Sequence, residues 1–215
     1  MKRTYAAVVL AAMIATTAHA QPGSRVSLGA GIGFHNYRDS SFPSSNPSIV
    51  SEYNIRLSSN HNRQGLSFGL KGGITYSQPD RNDFIGGVET KSGHLRMVSV
   101  LVGAGPSYRT GPFSVGLGVV AGPSFNNFSV DDAARVAYSD RVGATLNSIT
   151  AKNSITVRPN LGLWYDLTSR VALHSSVDYT VNRPRVLTDI DGTISSERWM
   201  LDRWSYQAGL AYGLF

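Results

Sequence analysis

The sequence predicts an all-β protein, an eight-stranded antiparallel up-and-down transmembrane β-barrel. Large apolar side chains alternate with small or polar ones in eight separate segments, a period of two that is typical of strands with two different faces. The connections between these segments are alternately long and short. The mean hydropathy is −0.12 and no long apolar run follows the amino terminus, which excludes a bundle of membrane-spanning helices.

The first 20 residues have the pattern of an export signal. Lys2 and Arg3 supply a positive start, an apolar stretch follows, and the sequence Ala18-His19-Ala20 is a small-x-small cleavage site. The stretch is too short to cross a bilayer as a helix, which needs about 20 residues. We therefore expect residues 1–20 to be a cleaved signal peptide and residues 21–215 to form one barrel domain.

Charge and cysteine content exclude several classes of protein. The chain has no cysteine, so disulfides, thiolate metal sites and cysteine nucleophiles are excluded. The net charge of +6 falls to +4 when Lys2 and Arg3 are removed. Such a small, scattered excess argues against a nucleic-acid-binding protein and suits a surface near anionic lipid phosphates.

The first four alternating segments cover residues 24–35, 53–59, 66–76 and 94–108. The second is short for a membrane crossing, and we expect it to begin near Ile49. In the fourth, apolar residues crowd both faces. We place Val98, Val100, Val102 and Tyr108 on the outer face and predict a β-bulge near residues 103–105.

The last four segments cover residues 113–125, 155–166, 171–179 and 204–215. The connection 126–153 is the longest, and residues 131–140 within it could form a short helix. Pro159 lies inside the sixth segment, although proline lacks the N–H that a sheet ladder requires. In the eighth segment every even position from Trp204 to Leu214 carries a large apolar residue or alanine, and the odd positions carry small or polar ones.

The lengths of the connections orient the barrel. Short turns at the end that holds both termini and long loops at the other end are what an up-and-down barrel requires. An even number of strands lets the first and last pair antiparallel, which leaves no open edge in the hydrocarbon. Aromatic residues near the segment ends fit two interfacial girdles; they are Phe34, Tyr53, Tyr76, Tyr108, Phe113, Tyr165, Tyr179, Trp204, Tyr206 and Tyr212.

The mature chain resembles the small outer-membrane β-barrels of Gram-negative bacteria, the OmpA/OmpX-like group. The resemblance rests on the signal peptide, the eight segments, the loop rhythm, the terminal Phe215 and the stretch 161–173, LGLWYDLTSRVAL, followed by Asp178-Tyr179. It implies a monomer in the cell outer membrane, with its short turns in the periplasm and its long loops outside. It also implies contact with outer-membrane lipid and lipopolysaccharide, and with the barrel-assembly machinery during biogenesis.

The carboxy-terminal strand departs from the pattern of that group. Its members usually have an aromatic residue two positions before the terminal Phe, where this chain has Gly213. Either Phe215 rotates outward beyond the last ladder bond, or the assembly signal is read from the outer face of the strand. We assign the signal to Leu210, Tyr212, Leu214 and Phe215.

Most charged residues of the alternating segments lie on the inward face. Its polar members are Arg25, Arg56, Lys71, Arg158, Asp166, Arg170, His174, Asp178, Arg203 and Gln207. An eight-stranded barrel is just wide enough to be filled by side chains, and buried charges must be paired. We therefore expect a lumen closed by a polar network, with a narrow pore for small solutes as the alternative, because many inward positions are glycine.

One further alternative is a hydrolase. His174 and Ser176 resemble the His and Ser of barrel lipid A deacylases, in which an acid orients the imidazole, and Glu197 or Asp189 could be that acid. The alternation points both residues into the lumen, away from a lipid substrate, and Val177 replaces the Asn of the deacylase pattern. We expect no catalytic site and no cofactor, and we expect loop aspartates such as Asp131 and Asp132 to be solvated rather than metal ligands.

Overall fold

The computed structural model describes residues 25–43, 48–57 and 64–213, with side chains for residues 28–43, 49 and 64–213. The predicted signal peptide and the last two residues, Leu214 and Phe215, lie outside this part. No helix in the described ranges is long and apolar enough to cross a membrane.

Twelve strands and one α-helix occur in the described chain. The strands are β1 (Arg25–Tyr37), β2 (Ser48–Leu57), β3 (Gly65–Ser77), β4 (Asp80–Ile85), β5 (Val88–Thr110), β6 (Phe113–Val130), β7 (Leu146–Ala151), β8 (Ser154–Asp166), β9 (Val171–Asn182), β10 (Arg185–Ile190), β11 (Thr193–Arg198) and β12 (Arg203–Gly213). The helix α1 spans Asp132–Ala137 and continues into a π-helical turn, Tyr138–Val142.

Eight of these strands close into the barrel wall, as the sequence predicts. They are β1, β2, β3, β5, β6, β8, β9 and β12, each antiparallel to its neighbours. The last strand pairs with the first, with Leu28 opposite Tyr212, and the pairing of β3 with β5 completes the ring. Strand β2 begins at Ser48, so its early start near Ile49 is also confirmed.

Side chains alternate across the wall because successive residues of a strand point to opposite faces. On β12, Trp204, Tyr206 and Leu210 are exposed on the outside, whereas Arg203 and Gln207 are buried inside. The aromatic residues predicted for the girdles are outward where side chains are described; Tyr53 lies outside those residues. A hydrocarbon-facing exterior and a polar interior therefore follow from one periodic pattern.

Pro159 fits the wall because the ladder is interrupted on one side. It lies opposite Val119 in the continuous pairing of β8 with β6. On the β9 side, Val157 pairs with Val181 and the next pair is Asn160 with Asp178, so Pro159 has no ladder partner there. Proline has no N–H to donate, and the side of Pro159 on which one would point therefore faces the gap in the ladder with β9.

The predicted bulge near residues 103–105 is wrong. Strand β5 keeps one register against β3 and one against β6 through this region. Gly103 instead allows a close approach of backbones, since a Cβ there would lie 1.9 Å from the Val119 carbonyl oxygen. A glycine in a strand can indicate a β-bulge or a close approach of two backbones, and Gly103 indicates the close approach.

The long connections contain more regular structure than the sequence predicts. Strands β4 and β5 form a hairpin that turns at Gly86-Gly87, and β10 and β11 form one that turns at Asp191-Gly192. All four turn residues have positive φ, as the two-residue turns of tight hairpins require. Strand β7 pairs with β10 and completes a three-stranded sheet outside the wall. The short helix predicted within residues 131–140 is confirmed, with Asp131 as its N-cap.

These connections pack together into one folded region above the wall, which we call the cap: residues 38–43, 78–95, 126–153 and 183–202. Two apolar clusters hold it. The first contains Tyr37, Phe42, Leu95, Met97, Phe128, Ala151, Val186, Trp199 and Leu201. The second contains Ile85, Ala134, Ala137 and Leu146 and joins α1 to β4 and β7. The long connections therefore form a region with buried apolar cores rather than a set of separate polar loops.

Candidate functional site: the barrel lumen and its cap

An ion pair closes the end of the lumen that holds the short turns. The Arg109 guanidinium donates to the Asp166 carboxylate, and both side chains are largely shielded from solvent. Nearby, the hydroxyls of Ser67 and Ser107 are 2.8 Å apart. Arg170, which the alternation assigns to the lumen, lies instead in the exposed turn between β8 and β9, because the strand pattern ends at Asp166.

A stacked layer of Lys71, Trp164 and His174 fills the next level. The Trp164 and His174 rings stack with centroids 4.7 Å apart and an interplanar angle of 22°. The Lys71 ammonium lies 5.4 Å from the centre of the Trp164 ring, a distance at which a cation is attracted to the π face. It also donates to the Leu117 carbonyl at 3.0 Å.

The inward glycines make room for this layer. A Cβ on Gly162 would lie 2.5 Å from the Trp164 ring, and a Cβ on Gly116 would lie 3.0 Å from the Lys71 ammonium. Space that the sequence alone could assign to a channel is therefore occupied by two large side chains.

Asp178 is the centre of the next polar group. Its carboxylate accepts a hydrogen bond from the Gln207 amide at 2.6 Å and another from the Ser176 hydroxyl at 3.3 Å. Arg158, on the adjacent strand β8, is also buried. Hydrogen bonds to a charged acceptor stabilise by about 1.5–3 kcal/mol each, which helps to offset burial of the carboxylate.

Two contacts join β1 to β12 above this group, one made by His35 and the other by Arg203. His35 Nδ1 and the Ser205 hydroxyl are 2.9 Å apart. Arg203 donates to the Tyr37 hydroxyl at 3.0 Å, and its guanidinium lies 5.1 Å from the centre of the same ring. These contacts hold the strand pair that closes the barrel.

A network around Asn182 crosses the lumen just below the cap. The Asn182 amide donates to Ser124 at 3.2 Å and accepts from Ser154 at 2.6 Å. Ser124 is in turn 2.8 Å from Ser99. Three wall strands on one side, β5, β6 and β8, are thus connected to β9.

Aromatic side chains seal the lumen at the cap. Trp199 packs edge-on against Phe42 and Phe128, with centroid distances of 5.7 and 5.0 Å. Arg81 lies over the Trp199 ring at 4.0 Å, and its charge is balanced by two hydrogen bonds to Asp83. The first apolar cluster therefore covers the opening that faces the long loops.

The structure places the predicted lumen residues as follows. The residues buried inside the barrel are Lys71, Arg158, Asp178 and Arg203, and His174 is half-buried there. The backbones of Arg25 and Arg56 lie opposite each other on β1 and β2, and their side chains are outside the described residues.

Two features of the lumen were missed by the sequence analysis. Trp164 has the inward parity of Gly162 and Asp166, and this parity would have predicted its position in the lumen. The aromatic seal of Phe42 and Trp199 has no periodic signal, because both residues lie in irregular segments of the cap.

The predicted assembly residues lie at the end of the last strand. Leu210 and Tyr212 are exposed on the outer face of β12, about half accessible. Leu214 and Phe215 lie beyond the described residues, so the face of the terminal Phe stays a prediction.

The structure gives contacts for each residue of the hydrolase alternative. The Ser176 hydroxyl donates to Asp178, and the His174 ring is stacked on Trp164. Glu197 and Asp189 lie in the β10–β11 hairpin outside the wall, where Glu197 accepts from the Trp199 indole and Asp189 from Asn147.

The loop aspartates have structural contacts. Asp131 caps α1 by accepting from the Ala133 N–H, and Asp191 accepts from the Thr145 N–H. Within the described ranges, no three His, Asp or Glu side chains come together as a metal site would require.

Comparison with known proteins agrees with this architecture. The structure of OprG from Pseudomonas aeruginosa is similar with a TM-score of 0.60 at 12% identity, covering 89% of this chain and 96% of that one. A major outer membrane protein from Thermus thermophilus and AlkL in lipid bilayers each give a TM-score of 0.50 at 15% identity, covering 89% of this chain and 99% and 90% of theirs. No curated protein sequence matches the chain.

At these identities the structural likeness concerns the fold. The family model described as the outer membrane protein beta-barrel domain matches residues 5–212, nearly the whole chain. The chain therefore belongs to the outer membrane protein β-barrel domain family.

Proposed function

We propose that this protein is a closed outer-membrane barrel with a structural or surface-interaction role, in which the wall anchors the cap outside the cell. The observation that carries the proposal is the layer of Lys71, Trp164 and His174. A stacked ring pair and an ammonium hydrogen-bonded to the wall occupy the space between strands, and small inward residues are fitted around them. A path for solutes would require these side chains to move together.

The cap supports the second half of the proposal. Its two apolar clusters fix the loops relative to one another, and exposed apolar side chains such as Phe84 and Ile194 remain on its outside. A rigid surface that presents apolar groups to solvent is suited to contact with other molecules.

Planar-bilayer recording of the purified full-length protein tests the closed lumen. We expect no reproducible single-channel steps from the wild type. The double variant Lys71→Ala/Trp164→Ala removes both large groups from the layer, and we expect it to conduct. Discrete steps in the wild type would refute the closed lumen and favour the pore.

We propose no hydrolytic activity, because the Ser176 hydroxyl is directed to Asp178 and points into the lumen. Lipid A from cells that express the wild type and Ser176→Ala should have the same acyl-chain profile. Any reproducible acyl difference between the two would restore the hydrolase alternative.

A further inference from the structure

The charged side chains inside the wall do not balance. The inward charged residues of the described wall strands are four cations and two carboxylates: Lys71, Arg109, Arg158, Arg203, Asp166 and Asp178. They leave an excess of two positive charges, with both inward histidines neutral. Strand β2, most of whose side chains lie outside the described residues, adds no net charge, because its only charged residues are Glu52 and Arg56. The lumen is therefore cationic as a whole.

Ion pairs within the lumen cannot remove this excess, because pairing brings charges together without changing their total. Arginine keeps its proton in proteins, so the charges of Arg158 and Arg203 persist. Both ends of the lumen are closed, one by the Arg109–Asp166 ion pair and the other by the aromatic seal around Trp199. A buried charge is stable only beside a counter-ion, and the described part of the lumen has fewer carboxylates than cations.

Two of the cations lie at one level of the wall. Arg203 is opposite Thr180 on β12 and β9. Arg158 is at the same level on β8, since the neighbouring pair across the gap in the ladder is Val157 with Val181. The backbones of the two arginines are thus two strands, or about 10 Å, apart. Both side chains and that of Thr180 between them are buried.

His35 adds a third group to this level from the other side of β12. It is two residues from Tyr37, which lies opposite Arg203, and the charges of Arg203 and Arg158 both act on its ring. His35 Nδ1 is 2.9 Å from the Ser205 hydroxyl. When that hydroxyl donates, the proton of the neutral ring is on Nε2. This Nε2 is buried, and no acceptor in the described chain contacts it.

Arg203 also has a buried donor that the surrounding side chains leave unused. Its guanidinium donates to the Tyr37 hydroxyl and lies over the same ring, but Tyr37 is neutral. Within the described ranges, no carboxylate forms a salt bridge with Arg203, and its Nε–H is buried without an acceptor. Because buried polar groups are normally hydrogen-bonded, the two unused N–H groups of Arg203 and His35 indicate a bound acceptor.

We propose that the lumen binds a small halide ion, such as chloride, between Arg203 and His35, with the charge of Arg158 nearby. The excess of positive charge selects an anion, and the two N–H groups donate to it. The interior of an eight-stranded barrel is just wide enough for side chains, so a monatomic ion fits better than a larger oxyanion.

The ion also joins the two strands that close the barrel, because His35 is on β1 and Arg203 is on β12. Its binding should therefore stabilise the folded wall. The proposal rests on the charge balance of the lumen and not on whether the lumen conducts, which bilayer recording tests separately.

Anomalous diffraction locates the ion directly. Crystals of the purified full-length protein are grown in sodium bromide, because bromide is a halide whose anomalous signal identifies it. We expect a bromide peak within hydrogen-bond distance of Arg203 Nε and His35 Nε2. A lumen without bromide at this level would overturn the proposal.

Urea unfolding in lipid vesicles measures the same binding without crystals. Replacing gluconate, a large organic anion, by chloride at constant ionic strength should stabilise the folded protein. With chloride at about ten times its Kd, the folding equilibrium shifts about tenfold, which raises the urea midpoint by about 0.7 M. The variant Arg203→Gln should lose this dependence on chloride.

Two matched variants separate the site from general effects of salt. Tyr37→Phe removes the neutral contact of Arg203 but keeps its charge, and Arg185→Gln removes an exposed cation of the cap. Both should keep the chloride response of the wild type, and heat-modifiable gel mobility checks that each variant is folded. If Arg203→Gln does not fold, His35→Phe, which lacks Nε2, takes its place and should lose most of the response. A full chloride response in the variant at the site, or its loss in Arg185→Gln, would overturn the proposal.

Discussion

Replacing Gly162 with alanine should destabilise the barrel by overpacking the lumen. The added Cβ would lie 2.5 Å from the edge of the Trp164 ring, whereas carbon atoms in contact prefer about 3.5–4.0 Å. The ring must therefore move by about 1 Å, but it is stacked on His174 at 4.7 Å and covered by Lys71. Overpacking of this kind costs about 1–3 kcal/mol, and reduced freedom of the unfolded chain returns about 0.4–1 kcal/mol.

At the middle of both ranges the net loss is about 1.3 kcal/mol, which is measurable by urea unfolding in lipid vesicles, followed by tryptophan fluorescence. With a slope of about 2 kcal/mol per molar urea, the midpoint should fall by about 0.6 M. Gly116→Ala is the matched control, because Gly116 lies opposite Gly162 and its added Cβ would keep longer distances, 3.0 Å to the Lys71 ammonium and 3.2 Å to the Trp164 ring. We expect the control to lose less than half as much.

A double-mutant cycle with Trp164→Phe adds a second check. The smaller ring leaves room for the Cβ, so Gly162→Ala should cost less in that background than in the wild type. The packing argument would be refuted if Gly162→Ala were as stable as the wild type. It would also be refuted if Gly162→Ala lost as much stability in the Trp164→Phe background as in the wild type.

Three further predictions concern the ion pair, the cap and a turn. Asp166→Asn leaves the half-buried Arg109 guanidinium without its charged partner and should cost about 1–3 kcal/mol in urea unfolding. The double variant Arg109→Met/Asp166→Leu should recover most of this loss, and no recovery would contradict the ion-pair account. Trp199→Ala removes the centre of the aromatic seal, so trypsin added outside vesicles should cleave the cap faster while the gel mobility of the wall is unchanged. Asp191 has a φ of 51°, so Asp191→Val should destabilise the β10–β11 hairpin by about 1–2 kcal/mol and Asp191→Asn should be neutral, as amide hydrogen exchange at Thr193 and Ile190 would report.

The wall could be predicted from sequence because each of its residues obeys a local rule. A strand in a barrel has lipid on one side and the lumen on the other, so Trp204 and Arg203 reveal their faces without any knowledge of their neighbours. Antiparallel order then follows from the short turns. The same alternation of faces predicts that Trp164 points inward. We did not draw this conclusion because aromatic residues were expected in the outer girdles.

The cap could not be predicted in the same way because its contacts are distant in sequence and have no period. Phe42, Phe128 and Trp199 come from three different connections, and their meeting depends on how the wall strands are extended. Two signals were nevertheless present. Gly86-Gly87 and Asp191-Gly192 are dipeptides of tight hairpin turns, and they would have divided two of the predicted loops into strands.

The joining of four connections into one cap determines which epitopes an antibody would recognise on the folded protein. Residues from β4, α1, β7 and the β10–β11 hairpin are neighbours only when the two apolar clusters are intact. Antibodies raised against the folded protein should therefore recognise discontinuous epitopes. Synthetic peptides that copy a single connection should be poor immunogens, and a useful antigen would need the barrel as its scaffold.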